Sequence, residues 1–414
     1  MVKRLMSIAG VMLLLSTCMQ AYYDNQFLFP MQEHITWRTL NKLSCARGSV
    51  FFMTADEARD CNGEPIELSD LGGCFDLARL NKAMNAIGIT NPLYLSEWST
   101  QELPYRTYGK LRATGADFVL EYAPVHWFSL GAAFTLMHVS GRIDYCVTTK
   151  AQQNLSIIQG NQVFPGRESE LERARLNANT LLGINPGQWA QTGLGDIELF
   201  TRWGTIKEYW WKFKQVDLNL LLDLILPTGT PRAIGAPASV AFGWNGHTGV
   251  SARLEGVAEV TDDCFLGLWV LACKRLSKTQ CARMPMGDEP LNYGVLVDRA
   301  TVNPGATVGF SLYLLADDIQ DGFGAYGAYT LFYHCKDCWR YCGSYTPRLD
   351  RLSLESEWIN EFFTLGLDYD FTKTPTIREY APRVFFDWTL PTNIFAARRI
   401  PKNHRISLGI EFHF

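Results

Sequence analysis

The chain has 414 residues and a formal net charge of -4, too small a charge to point to nucleic acid or to a tether on acidic lipid. Charged residues make up 19% and aromatics 13%, whereas soluble domains carry about 25% charged residues and charge-poor, aromatic-rich chains are common at lipid–water interfaces. Length alone admits two or three soluble domains.

Lys3 and Arg4 precede an uncharged apolar run from Leu5 to Leu15, and Ala21 offers a small residue for cleavage. This pattern predicts a secretory signal peptide over 1–21. The run is too short for a spanning helix, which needs about 20 residues. Leu15-Ser16-Thr17-Cys18 matches a lipoprotein cleavage box poorly at Thr17. No later run is long enough for a transmembrane helix; Phe265 to Cys273 is far short of one. An exported soluble protein and an outer-membrane β-barrel remain.

Alternation decides between them. Successive strand side chains point to opposite faces, and about twelve segments show that pattern: 46–58, 106–122, 126–143, 194–205, 214–226, 248–261, 264–277, 304–316, 322–335, 354–371, 381–391 and 403–414. In the first, Val50 to Met53 does not alternate. Ala116, Phe118, Leu120 and Tyr122 alternate with Asp117 and Glu121, and Leu218 to Leu226 with Asp217, Asn219 and Asp223. Phe265, Gly267, Trp269 and Leu271 follow the Asp262-Asp263 turn, and Phe363 to Phe371 alternates with Asp368 and Asp370. Connections alternate between short and long, and the strand number is even, as in outer-membrane barrels. Tyr122, Trp127, Trp203, Tyr209, Trp210, Trp211, Tyr369 and Trp388 fall near the rims as girdle aromatics. The predicted fold is an all-β antiparallel transmembrane barrel over 22–414, with external loops carrying short helices. The expected location is the outer membrane of a Gram-negative-type bacterium.

The last strand, Ile406 to Phe414, alternates to the final residue. It resembles the C-terminal signature of bacterial outer-membrane proteins, which the barrel-assembly machinery reads at the terminal Phe. Outer-membrane lipid and that machinery, through Phe414, are the implied partners.

The insert 59–105 has a helical pattern in Phe75, Leu77, Ala78, Leu80, Met84 and Ile87, and Glu168 to Ile184 is a second such run. The insert either packs on the outer mouth or folds inward as a plug. Removing Cys18 with the signal leaves ten cysteines, an even number, and disulfides bracing loops and strand ends are expected in an oxidising compartment. Cys335, Cys338 and Cys342, with His334 or Cys281, admit a zinc reading, but no second pair has the usual spacing. No phosphate loop, zinc-protease histidine pair or calcium loop is present, so no cofactor is expected.

The polar strand faces should line the lumen: Asp117, Glu121, Asp196, Glu198, Asp217, Asp223, Glu255, Glu259, Asp368, Asp370, Asp387 and Glu411 against Arg202, Arg253, Lys274 and Arg405. An acidic lumen would disfavour anions and favour neutral or cationic solutes where water flows. Alternatively, these groups pair across a filled interior.

Gly193-Leu194-Gly195-Asp196 opens one strand, and the next ends in Pro227-Thr228-Gly229. The pair resembles the outer-membrane barrel family of the phenol-degradation meta-pathway, grouped with fatty-acid-transporter-like channels. The match covers about residues 193–270, and Thr230 stands where that family often has an acid. The resemblance implies a channel for small, hydrophobic or neutral molecules. A non-conducting structural or surface-interaction barrel is the alternative. His138 and Ser140, two apart on one strand, resemble the His and Ser of outer-membrane phospholipases, but the Asn-Gly following Ser in that family is missing here. No Asn is in place to orient the imidazole, and a non-enzyme is expected.

Overall fold

The computed structural model describes residues 27, 44–158, 167–185, 187–210, 212–373 and 381–414. The predicted signal peptide and Trp211 lie outside them. Twelve antiparallel strands form the barrel. They are β1 (Cys45–Ala55), β2 (Tyr105–Val125), β3 (Phe128–Val147), β4 (in two stretches, Gln188–Leu194 and Ile197–Glu208), β5 (Gln215–Leu226) and β6 (Gly249–Thr261). The second half comprises β7 (Cys264–Arg275), β8 (Ala306–Gln320), β9 (Phe323–His334), β10 (Trp358–Asp370), β11 (Arg383–Pro391) and β12 (His404–His413). Each strand pairs with the next, and β12 pairs with β1, closing the sheet. Closure leaves no edge, so every strand can satisfy its backbone polar groups in lipid.

The outer surface confirms the solvent. Val50, Phe118, Leu120, Leu136, Leu222, Leu254, Leu268, Leu314, Leu367, Leu408 and Phe412 all point outward and are exposed. A soluble protein rarely shows so large a contiguous apolar surface; in a bilayer it is the stable arrangement. The chain is therefore an outer-membrane β-barrel. The start of β1 and the last residue of the chain meet at one rim, where Ser44 and Phe414 exchange backbone hydrogen bonds of 3.1 and 3.0 Å. The same rim carries the tight turns at His126-Trp127, Asp262-Asp263 and Asp321-Gly322. Asp263 (φ 58°) and Asp321 (φ 47°) adopt the left-handed conformation there, which Asp tolerates better than most residues. The long connections lie at the opposite, external rim.

Two strands depart from the sequence reading. β1 does alternate: Arg47, Ser49, Phe51 and Met53 point inward, and Val50 and Phe52 outward. Its code is hidden because the upper interior is apolar, so both faces carry greasy residues. On β7, Phe265 and Trp269 point inward, with Leu266 and Leu268 on the lipid side. Here too the interior is apolar: Trp269 packs with Tyr313, Phe332, Trp358 and Phe362.

β2 and β3 are 21 and 20 residues long, about twice what a spanning strand needs. Their upper halves project past the membrane and support a cap. Helix α1 (Leu77–Ala86) starts at Asp76, whose carboxylate accepts from the amides of Ala78 (2.9 Å) and Arg79 (3.0 Å). α1 buries Leu77, Leu80 and Met84 against Trp98, Leu103 and Tyr105. Leu171, Ala174 and Ala178 of a later helix, Arg167–Leu181, join the same cluster. Both predicted helical runs are thus found. Phe75 sits at the cluster's centre, edge-on to Tyr105, Tyr145 and Tyr293.

Candidate functional site

The interior is divided lengthwise. On the β7–β10 side it is filled by the aromatic cluster around Trp269 and Trp358. Beside it lies a cavity of about 170 Å³. It reaches from Cys45, at the periplasmic end of β1, to Thr307 and Trp358, at the external ends of β8 and β10. Phe200, Trp244, Trp269 and Phe332 form apolar walls, and Glu198, Asp223 and Arg253 face it from β4, β5 and β6. Its volume is comparable to the apolar cavity of about 150 Å³ that takes benzene, but here it is drawn out along the barrel and bordered by charged side chains.

All of the predicted lumen acids occupy inward positions on their strands, but most are engaged. Arg405 bonds Asp117 at 2.5 Å. Arg202 lies 3.3 Å from Glu121. Arg47 reaches both Asp387 and Glu411, each at 3.4 Å. Arg383 joins Asp368 at 2.8 Å and Asp317 at 3.0 Å. Tyr313 donates to Glu255 at 3.3 Å, and Asp370 accepts from the Thr372 amide in a periplasmic turn. Asp217 is buried and Glu259 half-buried near that same rim. Asp223 accepts from Ser251, and Arg253 lies over the Trp269 ring. Glu198 has no hydrogen-bond or ion-pair partner among the described residues.

The sequence count of bases needs two corrections. Lys274 is on the outward parity of β7, where its ammonium donates to the Pro304 carbonyl. Arg47 and Arg383 point inward and were missed. Arg47 lies on the strand whose alternation is hidden, and Arg383 opens its strand before the apolar pattern is established. With Lys274 removed and Arg47 and Arg383 added, twelve acids face five bases, so the interior stays acidic although the arginines pair five of those acids.

The glycine motifs have a mechanical explanation. Asp196 interrupts β4 and turns its carboxylate inward. It accepts from the amides of Gly229 (2.7 Å) and Trp244. Thr228 bridges the same point: its hydroxyl donates to the Gly195 carbonyl and accepts from the Ile197 amide. A Cβ on Gly229 would come within 2.8 Å of Asp196 Oδ1, and one on Gly243 would overlap that carboxylate. One side chain thus staples both ends of the 227–248 connection into the barrel. Between them Phe242 is fully buried, packing with Val240, Met53, Leu111, Ala113, Met137 and Val139. Leu68 and Leu71, from the 59–105 insert, complete this cluster inside the upper barrel.

The remaining candidates separate. All ten described cysteines are free thiols, so the expected disulfides are not formed. The residues are dispersed: Cys45 and Cys273 line the cavity, Cys264 is at a periplasmic turn, and Cys61, Cys74, Cys146 and Cys281 are exposed. No three His, Cys, Asp or Glu side chains converge as metal ligands among the described residues. His334 instead points inward to Thr307 (2.8 Å) and Asp337 (3.2 Å). His138 and Ser140 point outward, and the imidazole is held by the Thr192 hydroxyl at 2.9 Å rather than by a carboxamide or carboxylate.

No family profile matches the sequence, and no curated protein matches it. The fold does have solved counterparts. An outer-membrane channel from Pseudomonas putida F1 overlays with a TM-score of 0.51 at 12% identity, covering 93% of this chain and 100% of that one. The deltaS2S3 mutant of the TodX monoaromatic hydrocarbon channel overlays with a TM-score of 0.36 at 9% identity, over 89% of each chain. A Pseudomonas aeruginosa FadL homologue gives 0.30 at 12% identity, over 90% of this chain and 89% of that one. The first shares the barrel architecture with this chain.

Proposed function

We propose that this chain is an outer-membrane channel that passes small neutral or hydrophobic molecules, closed at its outer mouth in the conformation described. The observation that carries the reading is the cavity: it extends along the barrel, and Phe200, Trp244, Trp269, Phe332 and Trp358 line it beside charged side chains. Arginines pair five of the interior acids, and the unpaired excess of acids opposes an anion while a neutral solute carries no net charge for it to act on. The P. putida protein sharing this architecture is itself an outer-membrane channel. Glu198, Asp223 and Arg253 are the charged groups we assign to solute selection, because they face the cavity beside the aromatic wall. Asp117, Glu121, Asp196, Arg202, Asp217, Glu255, Asp368, Asp370 and Asp387 are assigned to holding strands and loops in register, and Glu259 to the half-buried periplasmic margin of the lumen. Phe414, exposed at the periplasmic rim, is assigned to recognition by the assembly machinery.

The test is flux through proteoliposomes of a phenol-sized neutral solute, its carboxylate analogue and its ammonium analogue. The expected order is neutral fastest and anion slowest. Equal or faster passage of the anion would overturn the assignment.

A further inference from the structure

Above the apolar belt, the outward face of β2 and β3 becomes cationic. Arg106, Lys110 and Arg112 on β2 and Arg142 on β3 all point out and are exposed. The register sets Lys110 opposite Arg142 and Arg112 opposite Ser140. Across β1, Arg112 is opposite Thr54, and Thr54 is opposite His404. Two acids share this face: Asp144 bonds Arg142 at 2.8 Å, and Glu67 lies 3.5 Å from Arg106. Asp56, just beyond β1, makes no ion pair among the described residues. Lys110 and Arg112 have no ion-pair or hydrogen-bond partner among them either.

The height of this patch is set by geometry. A strand rises about 3.3 Å per residue and tilts by about 40°, so an apolar band about 25 Å tall takes roughly ten residues. Counting up β2 from the rim aromatic Tyr122 reaches Arg112. Counting up β12 from Phe414 reaches His404, and up β3 from Phe128 reaches His138. The cations therefore stand at the level of the outer leaflet's headgroups. Directly beneath them Val50, Phe52, Phe118, Phe134 and Leu136 are exposed to lipid, and Phe118 stacks on Phe134 at 5.1 Å. The surface pairs two free cations with hydroxyls above and a ringed apolar wall below. That matches an amphiphile with anionic phosphates on its head.

We propose that Lys110 and Arg112, flanked by Arg142, His404 and the hydroxyls of Ser140 and Thr54, bind the phosphate-bearing headgroup of an outer-leaflet glycolipid of the lipid A type, with its acyl chains along Phe118 and Phe134. The Ser140 and His138 positions then belong to a lipid-facing polar rim. The site is independent of the channel interior.

The experiment titrates refolded full-length protein in neutral detergent with bis-phosphorylated lipid A and with the enzymatically dephosphorylated lipid, reading bound lipid by native mass spectrometry. The phosphorylated form is expected to bind preferentially. The double variant K110E/R112E should weaken that binding about ten-fold or more, given roughly 1 kcal/mol per basic residue near an anionic headgroup. K110R/R112K should retain it, and heat-modifiable gel mobility reports that each variant is folded. Equal binding of both lipids, or a folded K110E/R112E that binds as wild type does, would overturn the site. Full competition by millimolar inorganic phosphate would overturn its assignment to a lipid.

Discussion

At the residue scale, the interior is governed by arginine–carboxylate pairs and one staple. Arg47 is 9% exposed and holds two acids at once. Removing one partner of a buried pair leaves an uncompensated charge, at a cost of about 3–5 kcal/mol. Arg47→Ala should therefore lower the urea midpoint of the refolded barrel, and Arg47→Lys should recover only part of the loss because a point charge cannot fork to both acids. Unchanged unfolding of Arg47→Ala would show that Asp387 and Glu411 find other donors. Asp196→Ala acts on a loop rather than on the sheet. Freed from Asp196, residues 227–248 should become susceptible to limited proteolysis in a barrel that remains heat-modifiable. Gly243→Val, which drives a Cβ into the same carboxylate, should do likewise.

At the element scale, the outward faces of most strands were legible because lipid imposes one rule on all of them. β12, β5 and β6 alternate apolar and polar as read. The inward faces follow no single rule. They meet arginines near the periplasmic end, a capping loop near the external end, and an aromatic filling beside β7. That is why β1 read as irregular and why Lys274 was counted toward the lumen. The Gly-x-Gly-Asp and Pro-Thr-Gly motifs were visible as short patterns. Their role was not, because it depends on Asp196 meeting amides far along the chain, at Gly229 and Trp244. The insert illustrates a similar limit. Its helix was evident from spacing, but its packing was not: α1 packs with Trp98, Leu103 and Tyr105, while Leu68 and Leu71 join the cluster around Phe242, contacts that no local pattern encodes. Phe242→Ala should loosen this inner cluster by about 3–5 kcal/mol, read as faster hydrogen exchange in 227–248 with the periplasmic halves of the strands unchanged.

At the scale of the whole molecule, a closed sheet settles where the protein resides, and its filling bears on the proposed conduction. Twelve strands lie between barrels packed with side chains and those with an aqueous channel, and this barrel combines both conditions. One side is filled, the other holds a cavity, and two external connections, 59–105 and 227–248, pack into the upper barrel against β1, β2 and β3. The account's central claim is that the cavity is a conduit and the connections are its stopper. Single-channel conductance in a planar bilayer tests it most directly, comparing the intact protein, Asp196→Ala, and a protein lacking residues 59–105. The account predicts small or infrequent steps from the intact barrel and larger, longer ones from both variants. Silence from all three, with folding verified by heat-modifiable mobility, would contradict it and leave a barrel whose external surface is its working part.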